Sequence, residues 1–390
     1  MLIPNIMSAI EHWNSGHNLL LYGPPGTGKT RFLSELYRAV NTETNQNVQL
    51  TADPENTDLP LAFGATENFA LPGLTKTYWC TFHQSFGYED FVLGYRPAND
   101  GGGIELTAHA GILLDAVLEL ADPDSLVESA VLFIDEINRA NASRVFGEFI
   151  TFLDFDYREG GAVPIPMPLR QLAFQDGFSE EIIRLNGEKA RIPLGFKFPR
   201  NIFVVGTMNS VDRSAIPLDS ALSRRFRKIE LIPNRQVLEG LWQVKYPGSI
   251  NVGDSYNAYQ IALVLFEYLN YHISNDYGSE FELGHGLFMG LKGEVSEAES
   301  DSAASDAAWR QLAEIWDDIL FPQVEERYAG RPVALLKLLR VDEFSGVHYA
   351  WKVRDSSWKA DEQRSLSRCR LSDCETDLIM NSFIRLVSSE

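Results

Sequence analysis

The chain has 390 residues, 45% of them hydrophobic and 23% charged, and 54 acidic against 34 basic side chains leave a formal charge of −20. That usage belongs to a globular chain with a sizeable core, and the charge excludes a non-specific grip on nucleic acid by the surface as a whole. No apolar run reaches the ~20 residues of a membrane span, the start MLIPNIMSAIEHWN lacks the basic and apolar regions of a secretory signal, and Cys80, Cys369 and Cys374, with no CxxC pair, fit a reducing cytoplasm.

The first element in chain order, Ile3–Trp13, carries apolar residues at Ile3, Ile6, Met7, Ile10 and Trp13, a helical spacing. It runs straight into LLLYGPPGTGKTR (Leu19–Arg31), so no separate N-terminal domain is expected ahead of that stretch. That stretch predicts a short buried strand, a glycine-rich turn and a helix opening near Lys29. Within it, Gly23-x4-Gly28-Lys29-Thr30 is the complete phosphate-binding loop pattern. Gly23, Gly26 and Gly28 let several backbone N–H groups face one point with no Cβ in the way of a phosphate. The helix adds the positive end of its dipole. Lys29 can reach the β- and γ-phosphates, and Thr30 can put its hydroxyl on Mg²⁺. The candidate nucleotide-binding residues are Gly23, Pro24, Pro25, Gly26, Thr27, Gly28, Lys29, Thr30 and Arg31.

The helix is expected to run on to Val40, and Asn41–Thr75 reads as irregular connection. TYWCTF (Thr77–Phe82) reads as a buried strand, His83–Pro97 is rich in aromatics, Asp100–Gly103 is a turn, and Ile112–Ala121 is an amphipathic helix. AVLFIDE (Ala130–Glu136) is the second chemical element. An apolar run ending in two acids is how a central parallel strand reads when its carboxyl end opens on a phosphate site. Two adjacent carboxylates there are costly unless a cation or hydrogen bonds answer them. Asp135 is the candidate for the Mg²⁺ shell, and Glu136 for polarising the attacking water.

Asn141–Leu153 reads as a helix with Val145, Phe149 and Phe152 on one side. Arg158–Pro199, rich in proline and glycine, reads as a hairpin-bearing insertion rather than a domain. NIFVVGTM (Asn201–Met208) is another buried strand, tipped by Asn209 and followed by Asp212, Arg213 and Ser214. Asn209 is either a strand-ending turn residue or a polar group reaching the γ-phosphate and its water. Arg224 and Arg225 close a helix that begins after Pro217. They are either a solvated basic helix end, favoured by the dipole, or arginine fingers reaching a neighbouring subunit's nucleotide.

Ile232-Pro233-Asn234 marks a boundary, beyond which Gln236–Tyr246 and Tyr256–Ile273 are helical. FELGHGLFMG (Phe281–Gly290) interrupts with glycines and a lone His285, either a hydrogen-bonded structural group or a catalytic one. Gly293–Ala308 reads as an exposed acidic loop and Trp309–Tyr328 as an amphipathic helix. Val341–Asp355 has strand-like patches, and the tail holds one more helix.

Together these motifs resemble the AAA+ NTPases, and more narrowly the McrB family of restriction-system motor subunits. GPPGTGKT (Gly23–Thr30) and FIDEINRAN (Phe133–Asn141) match the two nucleotide motifs. MNSVDRS (Met208–Ser214) matches the family's MNxxDRS signature, and TFHQSFGYEDFVLGYRP (Thr81–Pro97) matches a block after its second strand. ELGHGLF (Glu282–Phe288) resembles the family's lid motif, with Gly286 and Leu287 where GHS and an aromatic are usual. IWDDILFPQVEERY (Ile315–Tyr328) resembles its late lid helix. The match covers roughly residues 1–340.

The resemblance implies an α/β fold, a parallel sheet flanked by helices over residues 1–232 with the insertion at about 156–199, then a mainly helical lid and C-terminal segment over 233–390. It implies hexameric rings with nucleotide at subunit interfaces, Mg²⁺ as cofactor, and ATP or GTP as substrate. It implies a separate McrC-like nuclease or other effector, with DNA touched through that partner. It puts Asn209 at the polar sensor position, Asp212 and Arg213 at the signature pair near the interface, and Arg224 and Arg225 at the trans-acting arginines. The family often carries an N-terminal DNA-reading domain, whereas here the motor is expected to begin at residue 1. A MoxR-like protein-remodelling ATPase and an NTP-gated scaffold with little turnover are the other functions compatible with these residues.

Overall fold

The structure, a computed structural model, describes residues 18–40, 48–49, 68–69, 74–98, 105–158, 172–193, 196–211, 216–293, 302–340, 351–355, 364–368 and 370–388. The expected helix at Ile3–Trp13 and the turn at Asp100–Gly103 lie outside them. Contacts divide the described residues into two units. One holds those within 18–23, 29–49 and 68–231, the other those within 24–28 and 232–388.

In the first unit the chain runs β1 (Asn18–Gly23), α1 (Lys29–Val40), β2 (Val48–Gln49), β3 (Asn68–Phe69), β4 (Leu74–Thr81), α2 (Tyr88–Phe91), β5 (Leu93–Ala98), β6 (Glu105–Ala110), α3 (Ile112–Ala121) and β7 (Val127–Asp135). It continues through α4 (Ala142–Phe146), the short strands β8 (Phe174–Gln175), β9 (Phe178–Ser179), β10 (Ile182–Ile183) and β11 (Lys189–Ala190), then β12 (Ile202–Asn209), α5 (Ser220–Ser223) and β13 (Phe226–Glu230). Among the described residues, β13-β1-β12-β7-β4 form a five-stranded sheet, parallel throughout.

The three inner strands β1, β12 and β7 are mostly apolar because both their faces are covered. Leu19, Leu21, Val131, Phe133, Phe203 and Val205 face α1 through Phe32, Leu33 and Leu36. The alternate residues Leu20, Leu132, Ile134 and Val204 pack in the opposite layer with Leu113 and Val117 of α3. The period of two along each strand sorts the side chains between the two cores.

Three sequence readings need correction. The helix expected over Asn141–Leu153 stops after Phe146. Gly147 sits at φ +53, a Cβ there would lie 2.8 Å from the Tyr88 ring, and the chain continues as a 3-10 helix, Gly147–Leu153. The loop expected to run to Ala308 is helical from Ser302. The stretch to Thr75 contains the paired β2 and β3 and the start of β4.

The segment after the 3-10 turn is a set of two-residue hairpins, β8–β9 and β10–β11, and β10 also pairs in parallel with β6. A buried ionic cluster and a buried, carbonyl-bound arginine fasten it. Arg184 contacts Asp115 at 3.2 Å and Glu119, while Asp115 also accepts from Tyr78 Oη at 2.9 Å and from the Leu185 amide at 3.0 Å. At the neck, Arg158 donates to the carbonyls of Phe152, Leu153, Arg200 and Ile202 at 2.6–3.2 Å. Every charge in these contacts is answered, which is the condition for burying it.

The second unit continues with α6 (Arg235–Trp242), α7 (Ala258–Tyr277), α8 (Ser302–Ile315), α9 (Phe321–Arg327), α10 (Pro332–Leu338), the hairpin β14 (Trp351–Asp355)–β15 (Arg364–Arg368), and α11 (Thr376–Val387). α7 is its axis, with Ile261, Leu265, Leu269 and Ile273 fully buried. Asn257 caps it in a capping box with Gln260, at 2.9 and 3.1 Å. Between α8 and α9 the helix widens into a π turn, Trp316–Leu320. Pro322, which lacks the N–H an α-helix would use there, stands two residues beyond it.

Candidate functional site

The sheet register brings the chemical residues to one end. Gly23 of β1 pairs with Asn209 of β12, and Gly206 of β12 pairs with Ile134 of β7, one step before Asp135. The loop leaving β1 needs its glycines. A Cβ on Gly23 would stand 2.2 Å from the Leu231 carbonyl oxygen. Gly26 and Gly28 lie at φ +79 and +86, in the left-handed region that side chains avoid. The Thr27 hydroxyl donates to the Pro24 carbonyl at 2.9 Å, and Lys29 opens α1 with its Nζ 3.0 Å from the Gly23 carbonyl oxygen. Lys29 is almost fully buried, and desolvation lowers its pKa to about 8 against the opposing pull of Glu136 and Asp135. Arg31 turns along its own helix to pair with Glu35 at 2.7 Å.

The two acids are held differently. Asp135 Oδ1 accepts from the Thr30 hydroxyl at 3.2 Å and from the buried Thr207 hydroxyl. Glu136 follows at φ 54, ψ 48, a left-handed conformation that costs a non-glycine residue about 1 kcal/mol. Its amide donates to Thr207 Oγ1 at 3.0 Å, and its carboxylate accepts from Asn209 Nδ2 at 2.7 Å and meets Arg139 Nε at 3.6 Å. The strained turn thus sends consecutive carboxylates to separate partners. Thr207 bridges them, accepting a hydrogen bond from the backbone of Glu136 and donating one to the side chain of Asp135.

Thr207 and Asn138 were not singled out from the sequence. A hydroxyl alone in the run NIFVVGTM signals a partner, since at 1% exposure it must be hydrogen-bonded. Asn138, also buried, donates from Nδ2 to the Asn209 backbone carbonyl at 3.2 Å, and its backbone carbonyl accepts from the Ile216 amide at 2.8 Å. Replacing Thr207 by Val keeps the shape and strips both bonds. A loss of about 1–3 kcal/mol in unfolding free energy is expected, with at least a roughly tenfold fall in any hydrolysis rate at saturating nucleotide. Thr207→Ser should retain both, and denaturant unfolding beside phosphate release checks the pair.

The structure separates the two arginines. α5 is a single turn, capped by Asp219, whose carboxylate accepts from the Leu222 amide at 2.7 Å. Arg225 is committed within its own chain: Nε meets Asp154 at 2.8 Å, Nη1 donates to the Ala221 carbonyl at 2.6 Å, and the side chain is 9% exposed. Arg224 is exposed and lines a shallow pocket of about 610 Å³ with Ser220, Ser223, Phe226, Arg227 and Lys228. Asp212 and Arg213 lie outside the described residues.

The donors suit a magnesium ion. One carboxylate and one hydroxyl oxygen, Asp135 and Thr30, stand side by side. Mg²⁺ takes few protein oxygens and completes its shell from phosphates and water. No group of three or more His, Cys, Asp or Glu side chains able to cage a metal occurs among the described residues.

The family described as "AAA domain (dynein-related subfamily)" matches residues 18–64 and 73–226. The type IV methyl-directed restriction enzyme EcoKMcrB subunit of Escherichia coli (strain K12) is 31% identical over 218 residues, 55% of this chain and 35% of that protein. The type II restriction enzyme BsuMI component YdiS of Bacillus subtilis (strain 168) is 27% identical over 239 residues, 59% of this chain and 62% of that protein. The match thus spans about a third of the length of the first relative and three-fifths of the second. Among solved structures, a putative ATPase from Cytophaga hutchinsonii aligns over 84% of this chain and 81% of its own, at 13% identity and a TM-score of 0.30.

Proposed function

This chain belongs to the AAA domain family, in its dynein-related subfamily, and is related to McrB-type restriction subunits; on that premise we propose that it hydrolyses ATP or GTP between copies of itself, as the ring-forming motor of a restriction or anti-phage complex whose nuclease or other effector is a separate chain. The observation that carries the reading is the convergence of Lys29, Thr30, Asp135, Glu136 and Asn209 at one end of the parallel sheet.

In this reading the loop amides and Lys29 hold the phosphates. Thr30 and Asp135 would hold Mg²⁺, which when bound neutralises charge on the phosphate oxygens. Glu136, with one oxygen fixed by Asn209, accepts hydrogen bonds from the attacking water and orients it in line. Arg224 of an adjoining copy meets the charge that develops on the departing phosphate. Arg225, tied to Asp154, keeps the one-turn helix in place so that Arg224 projects. With a net charge of −20, contact with DNA falls to the partner chain. Among the described residues no helix is long and apolar enough to cross a membrane.

A trans arginine makes hydrolysis depend on assembly. Specific activity with Mg²⁺ and either nucleotide should climb steeply with protein concentration, in step with oligomer formation followed by light scattering. Full specific activity in a protein that scatters as a monomer overturns the interface mechanism.

A further inference from the structure

The turn Gly284–His285–Gly286 touches the phosphate loop through backbone alone. The Gly284 amide donates to the Pro25 carbonyl at 3.0 Å, and the Gly286 amide donates to the Gly26 carbonyl at 2.8 Å. A Cβ on Gly284 would lie 2.0 Å from the Gly26 carbonyl carbon, and one on Gly286 would lie 2.8 Å from the Gly26 oxygen. Leu287 closes over the same glycine, 3.0 Å from where a Gly26 Cβ would stand. Only glycine permits this approach at positions 284 and 286.

A trans peptide is planar, with its N–H directed opposite to its C=O. Fixing the Pro25 carbonyl therefore aims the Gly26 N–H away from the turn, and fixing the Gly26 carbonyl does the same for the Thr27 N–H. Peptides beside glycine rotate at little cost, so an unheld loop would spread these donors over several directions. The middle residue anchors the turn itself. His285 is buried, and its Nδ1 accepts the backbone N–H of Asn234 at 3.3 Å, where Asn234 caps α6 through its side chain at 2.9 Å. Burial lowers the His285 pKa to about 4, so the ring stays neutral and able to accept at neutral pH.

We propose that the Gly284–His285–Gly286 turn is a positioning element for the phosphate loop, presetting the Gly26 and Thr27 amides for a triphosphate and thereby setting nucleotide affinity. The inference rests on the nucleotide site proposed above. It assigns the turn to binding rather than to bond cleavage, because Glu136 and Asn209 are held by other partners.

The test measures binding of ribose-labelled fluorescent ATP and GTP analogues with Mg²⁺ to the full chain, alongside steady-state hydrolysis. Gly286→Ala should weaken binding about tenfold, the equivalent of one well-made hydrogen bond. KM should rise in parallel while kcat holds within about threefold, the pattern of lost uniform binding. His285→Leu should weaken binding by about threefold, the lower end of the same hydrogen-bond scale, and His285→Asn, which keeps an acceptor near the Nδ1 position, should restore it. Gly290→Ala, whose Cβ meets only the Ile315 side chain, should bind as the unaltered chain does. Affinities within twofold of the unaltered chain in both Gly286→Ala and His285→Leu, or a change confined to kcat, overturn the inference. If circular dichroism finds Gly286→Ala unfolded, the two His285 variants decide alone. Failure of the unaltered chain to bind either nucleotide would overturn the proposed function instead.

Discussion

Mixing Glu136→Gln with Arg224→Ala should recover hydrolysis that neither variant has alone. Each variant by itself is expected to lose about 10³-fold in rate, since one lacks the water-orienting carboxylate and the other the trans guanidinium. In a head-to-tail ring every interface takes its acids from one copy and its arginine from the next. An equal, randomly exchanged mixture then pairs an intact Glu136 with an intact Arg224 at about a quarter of its interfaces, and the recovered rate should approach that share. The same mixture made with Arg225→Ala tests the separation of the two arginines. Arg225 is held by Asp154 and the Ala221 carbonyl, so its removal should cost about 1–2 kcal/mol of stability, discounted for the partly exposed Asp154. No recovery with Arg224→Ala would remove Arg224 from the trans role, and equal recovery with both would give Arg225 a share in it.

Replacing Lys29 by Met should abolish nucleotide binding and yet stabilise the nucleotide-free protein. The ammonium is buried and its pKa is depressed from 10.5 to about 8, a desolvation cost of about 3 kcal/mol at most. The sign follows from proton counting. Between pH 8 and 10.5 the unfolded chain binds the proton and the folded chain does not, so stability rises with pH across that window. Below pH 8 the cost is fully present, and above 10.5 it is gone. The gain from Lys29→Met should therefore be largest near neutral pH and shrink above pH 8. Nucleotide affinity of the unaltered chain should fall over the same rise, because the phosphates need the charged form. Thermal unfolding and nucleotide titration from pH 7 to 10 measure both; a variant no more stable than the parent at pH 7 rules out the desolvation argument.

The elements legible in the sequence were those whose signal is local. Ile112–Ala121 is a helix over the expected residues, and the apolar runs through Leu19, Tyr78, Val131 and Val204 are strands of one parallel sheet. A chain-local pattern also suffices for the turn that carries Lys29 and Thr30. What escaped was set by residues distant in sequence. The helix stops after Phe146, and glycine is required at 147, where the ring of Tyr88 occupies the space a side chain would take. The two arginines look equivalent in SRRF, and only the arrival of Asp154 from another segment distinguishes them. Thr207 is one polar residue in an apolar run, and its meaning depends on the register that sets it beside Asp135 and the Glu136 amide.

The neck closed by Arg158 has a consequence for how this chain can diverge. Its guanidinium joins Phe152 and Leu153 on the way into the inserted hairpins to Arg200 and Ile202 on the way out. With the doorway latched, extra residues beyond it lengthen only an already closed loop, and each doubling of such a loop costs about 0.6 kcal/mol. The hairpins are thus a cassette that can be lengthened, trimmed or exchanged, while the arginine at their threshold must stay.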